Sequence, residues 1–260
     1  MRDSHQLQPD NDYEGWLQEF DRLEIDASDR RAMWALRYHS RIEAALRRLR
    51  PLPRGARVLE VGASQANTSL LAAEAGLRAV ALDRDTRALS YAWRKHQSGD
   101  FSTVCGDALK LPFLSGSFAA VLALEILEHL PDPLAALREA RRVLAPGGIV
   151  VVTTPNADYA TERLPSYAGR DETLEAREAP DASGHLFAFT LKELRAVVQE
   201  AGLAVVESRY EGSLAMSDKL PLKRLFTPRQ LIGISHAMNK LPGASRVSYT
   251  CLVTAVAPVD

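Results

Sequence analysis

Short apolar runs alternate with segments of helical periodicity through the middle of the chain. Arg57 to Val61, Arg78 to Leu82, Phe101 to Cys105, Phe118 to Leu124 and Ile149 to Thr154 read as strands. Asn67 to Ala75, Thr86 to His96 and Leu134 to Leu144 read as helices, the first closed by Gly76 and the last by Pro146-Gly147-Gly148. Strands that alternate with helices imply right-handed crossovers and a parallel sheet covered on both faces. The pattern therefore predicts an α/β fold.

The flanks have a different rhythm. From Arg31 to Arg50, Trp34, Leu36, Tyr38, Ile42, Leu46 and Leu49 recur at helical spacing, and Pro51 and Pro53 stop that helix. Residues 1–54 are thus expected as an N-terminal helical extension of a domain over 55–260. Residues 155–185 carry Pro155, Pro165 and Pro180 with an acidic excess and little periodicity, the profile of a lid-like loop. Thr190 to Ala201 reads as a helix opened by a capping box of Thr190 and Glu193. Leu203 to Glu207 and Val247 to Val256 read as late strands. Residues 211–246 form an insertion between them, helical over about 214–240.

Composition narrows the class. A chain of 260 residues, 46% hydrophobic, can bury a sizeable core. Its net charge of −1 gives no global field toward DNA or a membrane. Cys105 and Cys251 sit in apolar runs and are expected as reduced core residues, with neither a disulfide framework nor a CxxC metal pair. Without a signal peptide or a long apolar span, a cytoplasmic location is expected, with no transmembrane segment.

The stretch "VLEVGASQAN" (58–67) ends a strand and opens a helix. Ligands of open α/β sheets meet such turns at the carboxyl ends of the strands. Gly62 suits close approach to a ligand, and Asp83, 21 residues later, can accept from both hydroxyls of a ribose. These two features suit a dinucleotide and S-adenosylmethionine (SAM) alike. Three others separate them. Ser64 and Asn67 occupy the second and third glycine positions of G-x-G-x-x-G, where a pyrophosphate needs close approach. Glu60 would repel a pyrophosphate and attract an ammonium. Asp107, in "CGDALKLPF", can accept from an adenine amino group.

With these residues in place the chain resembles class I SAM-dependent methyltransferases of the type 11 branch. The resemblance is carried by "VLEVGAS" (58–64), "VALD" (80–83), "GDALKLPFLSGSFAAVLALEILEHLPDP" (106–133), "LREARRVLAPGGIVVVTTPN" (137–156) and "HLFAFTLKELRAVVQEAGL" (185–203). It implies a Rossmann-like sheet of seven strands, mostly parallel with an antiparallel last strand. It also implies SAM across the ends of the first strands. Carried over, Glu60 and Gly62 meet the methionine part, Asp83 the ribose, and Asp107 with Ala108 the adenine. Ala63, Ser64, Arg84 and Glu125 complete the expected cofactor set. The family turn, E/D-x-G-x-G-x-G, keeps only its first glycine here; Ser64 and Ala66 replace the others.

The motif "EILEHL" adds acid–base chemistry. If its end is helical, Glu125, Glu128 and His129 share a face, and His185 returns beside them in this family. His129 and His185 are the candidate general bases. The same four residues suit a divalent metal such as Mn, Fe or Zn better than Mg. The resemblance leaves metal open: ubiquinone-pathway and small-RNA 3′-terminal 2′-O-methyltransferases use similar patterns for it, whereas many type 11 enzymes carry the motif without metal. Metal is not the favoured reading.

The expected function is methyl transfer to a small-molecule acceptor, at oxygen. The alternatives are an RNA 3′-terminal 2′-O-methyltransferase and a non-catalytic SAM-fold binding protein. The insertion sets Lys219, Lys223, Arg224, Arg229, Lys240 and Arg246 against Glu211 and Asp218, interleaved with leucines and Phe226. It is expected to cap an apolar acceptor with Leu225, Phe226, Leu231 and Ile234 inward; peripheral membrane contact and a plain solvated face are its alternatives. Tyr38, His39 or Arg41 is expected near the SAM carboxylate.

Overall fold

The computed structural model describes residues 33–159, 164–170, 184–213, 226 and 228–259. Helix α1 (Met33–Leu49) leads into β1 (Arg57–Val61), α2 (Asn67–Glu74), β2 (Arg78–Asp83), α3 (Thr86–Lys95), β3 (Asp100–Cys105) and β4 (Phe118–Leu124). Then follow α4 (Pro133–Val143), β5 (Leu144–Pro155), α5 (Leu191–Glu200), β6 (Ala204–Ser213), α6 (Pro228–Met238) and β7 (Ser248–Val256). The seven strands form one sheet in the order β3-β2-β1-β4-β5-β7-β6. Strands β1 to β5 pair in parallel, and β7 runs antiparallel to both β5 and β6.

Local chemistry sets the helix starts. Asp85 caps α3 by accepting from the Arg87 amide, and Asp132 caps α4 by accepting from the Ala135 amide at 2.9 Å. Pro133 sits where a missing N–H costs nothing. The Thr190–Glu193 capping box of α5 is present in both directions. Each such cap contributes about 1 kcal/mol.

The core lies on both faces of the sheet. One cluster joins Leu59, Val121, Leu137, Val152, Phe187 and Phe189. The other joins Val58, Ala79, Leu89, Leu122 and Val151 with Ala45 and Leu49 of α1. Burial on both faces explains why β4 is apolar throughout rather than alternating.

Two boundaries and the burial of one residue differ from the sequence reading. Strand β5 starts at Leu144 instead of Ile149, because Leu144 pairs with Phe118 before a register shift. Pro146, Gly147 and Gly148 therefore lie within the strand, with Gly147 at φ 72°. Strand β6 runs on to Ser213, held by its pairing with β7. Cys105 is exposed and not a core residue, because β3 is the sheet edge; Cys251 is buried, and both are free thiols.

In the insertion, 214–225 lies outside the described residues, including Lys219, Lys223 and Leu225. Leu231 is buried and Ile234 half-buried as expected, but Phe226 is 36% exposed rather than inward. Much of the expected lid, 160–163 and 171–183, also lies outside the described residues. Among the described residues no helix is long and apolar enough to cross a membrane.

Candidate active site

Strand order reverses between β1 and β4, which leaves a crevice at their carboxyl ends. The turn after β1 occupies it. Gly62, Ser64 and Ala66 all take left-handed backbone, with φ of 69°, 47° and 55°. The backbone of a three-glycine turn thus survives with one glycine, at a cost of about 1–2 kcal/mol per non-glycine residue in this region. Gly62 itself has no room for a side chain: a Cβ there would lie 2.6 Å from Ile126. The turn is pinned to β2, since the amides of Gly62 and Ala63 both donate to the Leu82 carbonyl, at 2.9 and 3.0 Å.

Asp83 ends β2 and is half-buried. Its Oδ2 accepts from the Ser64 amide at 2.7 Å and its Oδ1 from the Asp85 amide at 2.9 Å. Two backbone donors therefore fix the carboxylate in place. Each of its oxygens retains further acceptor capacity.

Asp107 follows β3 in the same manner. Its Oδ1 accepts from the Leu109 amide at 2.9 Å, and Arg84 lies 3.3 Å from its Oδ2. The Arg84 side chain is 76% exposed, so this ion pair contributes little to stability. Ala108 is buried beside it.

Glu60, expected at the methionine part, also has a partner within the protein. It is buried beneath the turn, and its Oε2 accepts from the Ser69 amide at 2.9 Å and the Ser69 hydroxyl at 2.6 Å. Helix α2 has no side-chain cap of its own at Ala66, so Glu60 supplies the acceptor from the neighbouring strand. Burial pushes the Glu60 carboxyl above the usual carboxylate range, against the hydrogen bonds from Ser69 and Thr68.

Helix α1 covers this end of the sheet. Tyr38 Oη accepts from Asn67 Nδ2 at 3.1 Å, and Lys95 Nζ donates to Asn67 Oδ1 at 2.5 Å. Arg41 lies 3.6 Å from Glu125 and stacks over the Tyr38 ring at 4.9 Å. Neither Asn67 nor Lys95 was identifiable as a partner from sequence, because they are 28 positions apart and meet only through the packing of α2 and α3.

The acidic–histidine group is smaller than expected. Glu125 has φ 56° and is not helical; only Leu127–His129 forms a single 3-10 turn. The left-handed residue turns Glu125 away to Arg41, so the expected common face does not exist. Glu128, His129 and His185 do converge, with donor atoms all within 4.8 Å of one another. Glu128 is fully buried, and its Oε1 lies 3.9 Å from His185 Nε2. The two imidazole rings are 4.6 Å apart. His129 Nδ1 is 3.0 Å from the Gly184 carbonyl, which selects the tautomer protonated at Nδ1 and leaves Nε2 as the acceptor. The Leu186 amide donates to the Glu128 carbonyl at 2.8 Å and holds the returning segment against the turn.

Comparison with known proteins agrees with this geometry. A family model described as a methyltransferase domain matches residues 33–208. A protein of Mycolicibacterium smegmatis named as a probable S-adenosylmethionine-dependent methyltransferase is 29% identical over 185 residues, 67% of each chain. The ubiquinone biosynthesis O-methyltransferase of Xanthomonas axonopodis pv. citri is 34% identical over 63% of this chain and 68% of its own length. The chain spans between 54% and 68% of the length of the first relatives it matches. Among solved structures, a chain from the complex of the Haloferax volcanii Trm112 methyltransferase activator with a methyltransferase superposes with a TM-score of 0.60. It has 20% identity, and the match covers 91% of this chain and 97% of that one. At that identity the likeness speaks for the fold.

Proposed function

This chain belongs to the class I SAM-dependent methyltransferases, and from that premise we propose that it methylates an oxygen atom of a small-molecule acceptor, with His185 as the base. SAM, when bound, supplies a methyl group already activated on a sulfonium. The protein's part is to hold cofactor and acceptor in line and to remove one proton. Asp83 would hold the ribose, Asp107 and Ala108 the adenine, and the turn of Gly62, Ala63 and Ser64 the methionine part. Arg84 would flank the adenine end. Glu125 and Arg41 form an ion pair at the mouth whose charges complement a bound ammonium and carboxylate.

The observation that carries the oxygen reading is the approach of fully buried Glu128 to His185 at 3.9 Å. A carboxylate beside an imidazole stabilises the imidazolium that forms when a hydroxyl proton is taken. SAM held by Asp83, Asp107 and the turn at Gly62 would supply the methyl group to the acceptor oxygen and leave as S-adenosylhomocysteine. The hydroxyl proton passes to His185, with His129 alongside. The O-methyltransferase name of one relative supports the same acceptor atom.

The test is a screen of phenols, enols, alcohols and amines with SAM, read by S-adenosylhomocysteine release and by product mass. We expect a methyl ether. His185→Ala should lower turnover by about 10²–10⁴-fold with SAM affinity unchanged. Transfer to amines alone, or a fully active His185→Ala, would overturn the reading.

One observation favours a second reading. Glu128, His129 and His185 offer a carboxylate and two imidazoles within 4.8 Å, a donor set that fits Zn, Fe or Mn better than Mg. His129 already makes the outer contact typical of a ligating imidazole, from Nδ1 to the Gly184 carbonyl. A metal held there would polarise an acceptor hydroxyl, as the RNA 3′-terminal alternative would also require. Stoichiometric metal by elemental analysis, with turnover lost on chelation, would select this reading. Activity indifferent to chelator leaves His185 as the base.

A further inference from the structure

Glu211 takes no part in the chemistry above, yet it is a carboxylate that is only 1% exposed. It sits near the end of β6, an edge strand, paired with Thr250 of β7. Three elements converge on its carboxylate. From α1, the Ser40 hydroxyl donates to Oε2 at 3.5 Å. From α6, His236 Nε2 lies 3.3 Å from the same oxygen. From β6 itself, Arg209 contacts Oε1. Burial by itself would raise the Glu211 carboxyl, but His236 and Arg209 outweigh it and hold the group below the usual range. An ionised carboxylate this deep is stable only while its donors stay in place.

The placement of Ser40 gives this junction its consequence. Its near neighbours on α1 reach the cofactor end: Tyr38 accepts from Asn67 at the start of α2, and Arg41 pairs with Glu125 after β4. Lower on the same helix, Arg48 anchors to Glu207 at 2.6 Å and Thr254 at 2.7 Å. One turn of α1 therefore touches the start of α2 and Glu125 at the cofactor end on one side and Glu211 on another. Helix α6 meets the same carboxylate through His236.

We propose that Glu211 is a positioning residue that couples α6 to α1, so that a ligand seated on the cofactor turn also seats α6. The proposal rests on the cofactor reading given above. It names a path: cofactor turn to α1 through Tyr38 and Arg41, α1 to Glu211 through Ser40, and Glu211 to α6 through His236. A purely structural Glu211 would stiffen α6 equally with and without ligand. A coupling Glu211 makes the stiffness of α6 depend on the ligand.

Amide hydrogen exchange with and without S-adenosylhomocysteine separates these cases. In the wild type, ligand should slow exchange in both 33–49 and 228–238 by about 5-fold or more. In Glu211→Gln the ligand should still slow exchange in 33–49 but no longer in 228–238, with β4 and β5 unchanged. His236→Gln, at a position a quarter exposed, should give the same loss and serves if Glu211→Gln does not fold. Ligand protection of α6 that persists in both variants would overturn the coupling, as would a wild-type α6 that never responds. Calorimetry on the same samples distinguishes the failures. Binding without an α6 response defeats the coupling alone, whereas no binding defeats the cofactor reading and the coupling together.

Discussion

The Ser64 amide donates to Asp83 Oδ2 at 2.7 Å, which makes the first strand's turn and the second strand's terminal acid one unit. Ser64 occupies a left-handed conformation at φ 47°, and that conformation aims its N–H at the carboxylate. The residue that departs from the glycine pattern therefore keeps the backbone function of the glycine. The acid proposed to hold the ribose is thus held by two backbone amides of the protein itself.

Removal of Asp83 should cost both roles. Asp83→Ala is expected to weaken SAM binding by about 1.5–3 kcal/mol, the usual loss for a hydrogen-bonding charged partner. The amides of Ser64 and Asp85 would lose their acceptor, so the turn should also exchange faster. Titration calorimetry checks the first effect; an unchanged affinity would rule out Asp83 as the ribose contact.

Ser64→Gly should stabilise the protein. A non-glycine residue in the left-handed region costs about 1–2 kcal/mol, and glycine returns about 0.5–1 kcal/mol of that as unfolded-chain entropy. The expected net gain is roughly 0.5–1 kcal/mol, seen as a higher Tm with SAM affinity retained. A lower Tm would mean that the Ser64 side chain contributes something the backbone argument omits.

Glu60 should leave a signature in the pH dependence of stability. Burial raises its folded-state carboxyl, so the folded protein holds that proton more tightly than the unfolded chain. Stability contributed by this group is full below the ordinary carboxylate range and falls as pH rises toward the raised folded value. Glu60→Gln keeps an acceptor for Ser69 and removes the titration. Its stability should therefore lose that downward slope and gain on the wild type toward neutral pH. Chemical denaturation across the acidic range checks this, and parallel curves for the two proteins would refute it. Glu60→Ala removes the same titration and the acceptor as well, so it should lie about 1 kcal/mol below Glu60→Gln at all pH values, as a missing helix cap does.

Much of the molecule was legible from local pattern. The strands β1 to β4, the helices between them and the Thr190–Glu193 capping box depend on neighbours a few positions away, and their limits fall within a residue or two of the reading. Gly62, Asp83 and Asp107 were legible as site candidates because a parallel sheet brings the ends of its strands to one edge. Resemblance to a family supplied the antiparallel sense of β7, which periodicity alone does not give; its place between β5 and β6 came from the structure.

Tertiary structure decided the rest, chiefly because the deciding partner lies beyond a single turn or pleat. Whether Glu125 joined Glu128 and His129 depended on its own left-handed backbone and on Arg41 of α1. Glu60 reads in the sequence as a ligand contact alone, and only the fold shows that the Ser69 amide donates to it. Cys105 reads as core until β3 proves to be the edge strand. Glu211 reads as one charge among many in a basic insertion until α1 and α6 close over it. Sequence by itself determined which segments become strands and helices and which acids end the strands, because periodicity and capping act over a single turn or pleat. Burial, hydrogen-bond partners and ion pairs of single side chains came from the packing of whole elements, and that packing brings together residues 171 positions apart in the case of Ser40 and Glu211.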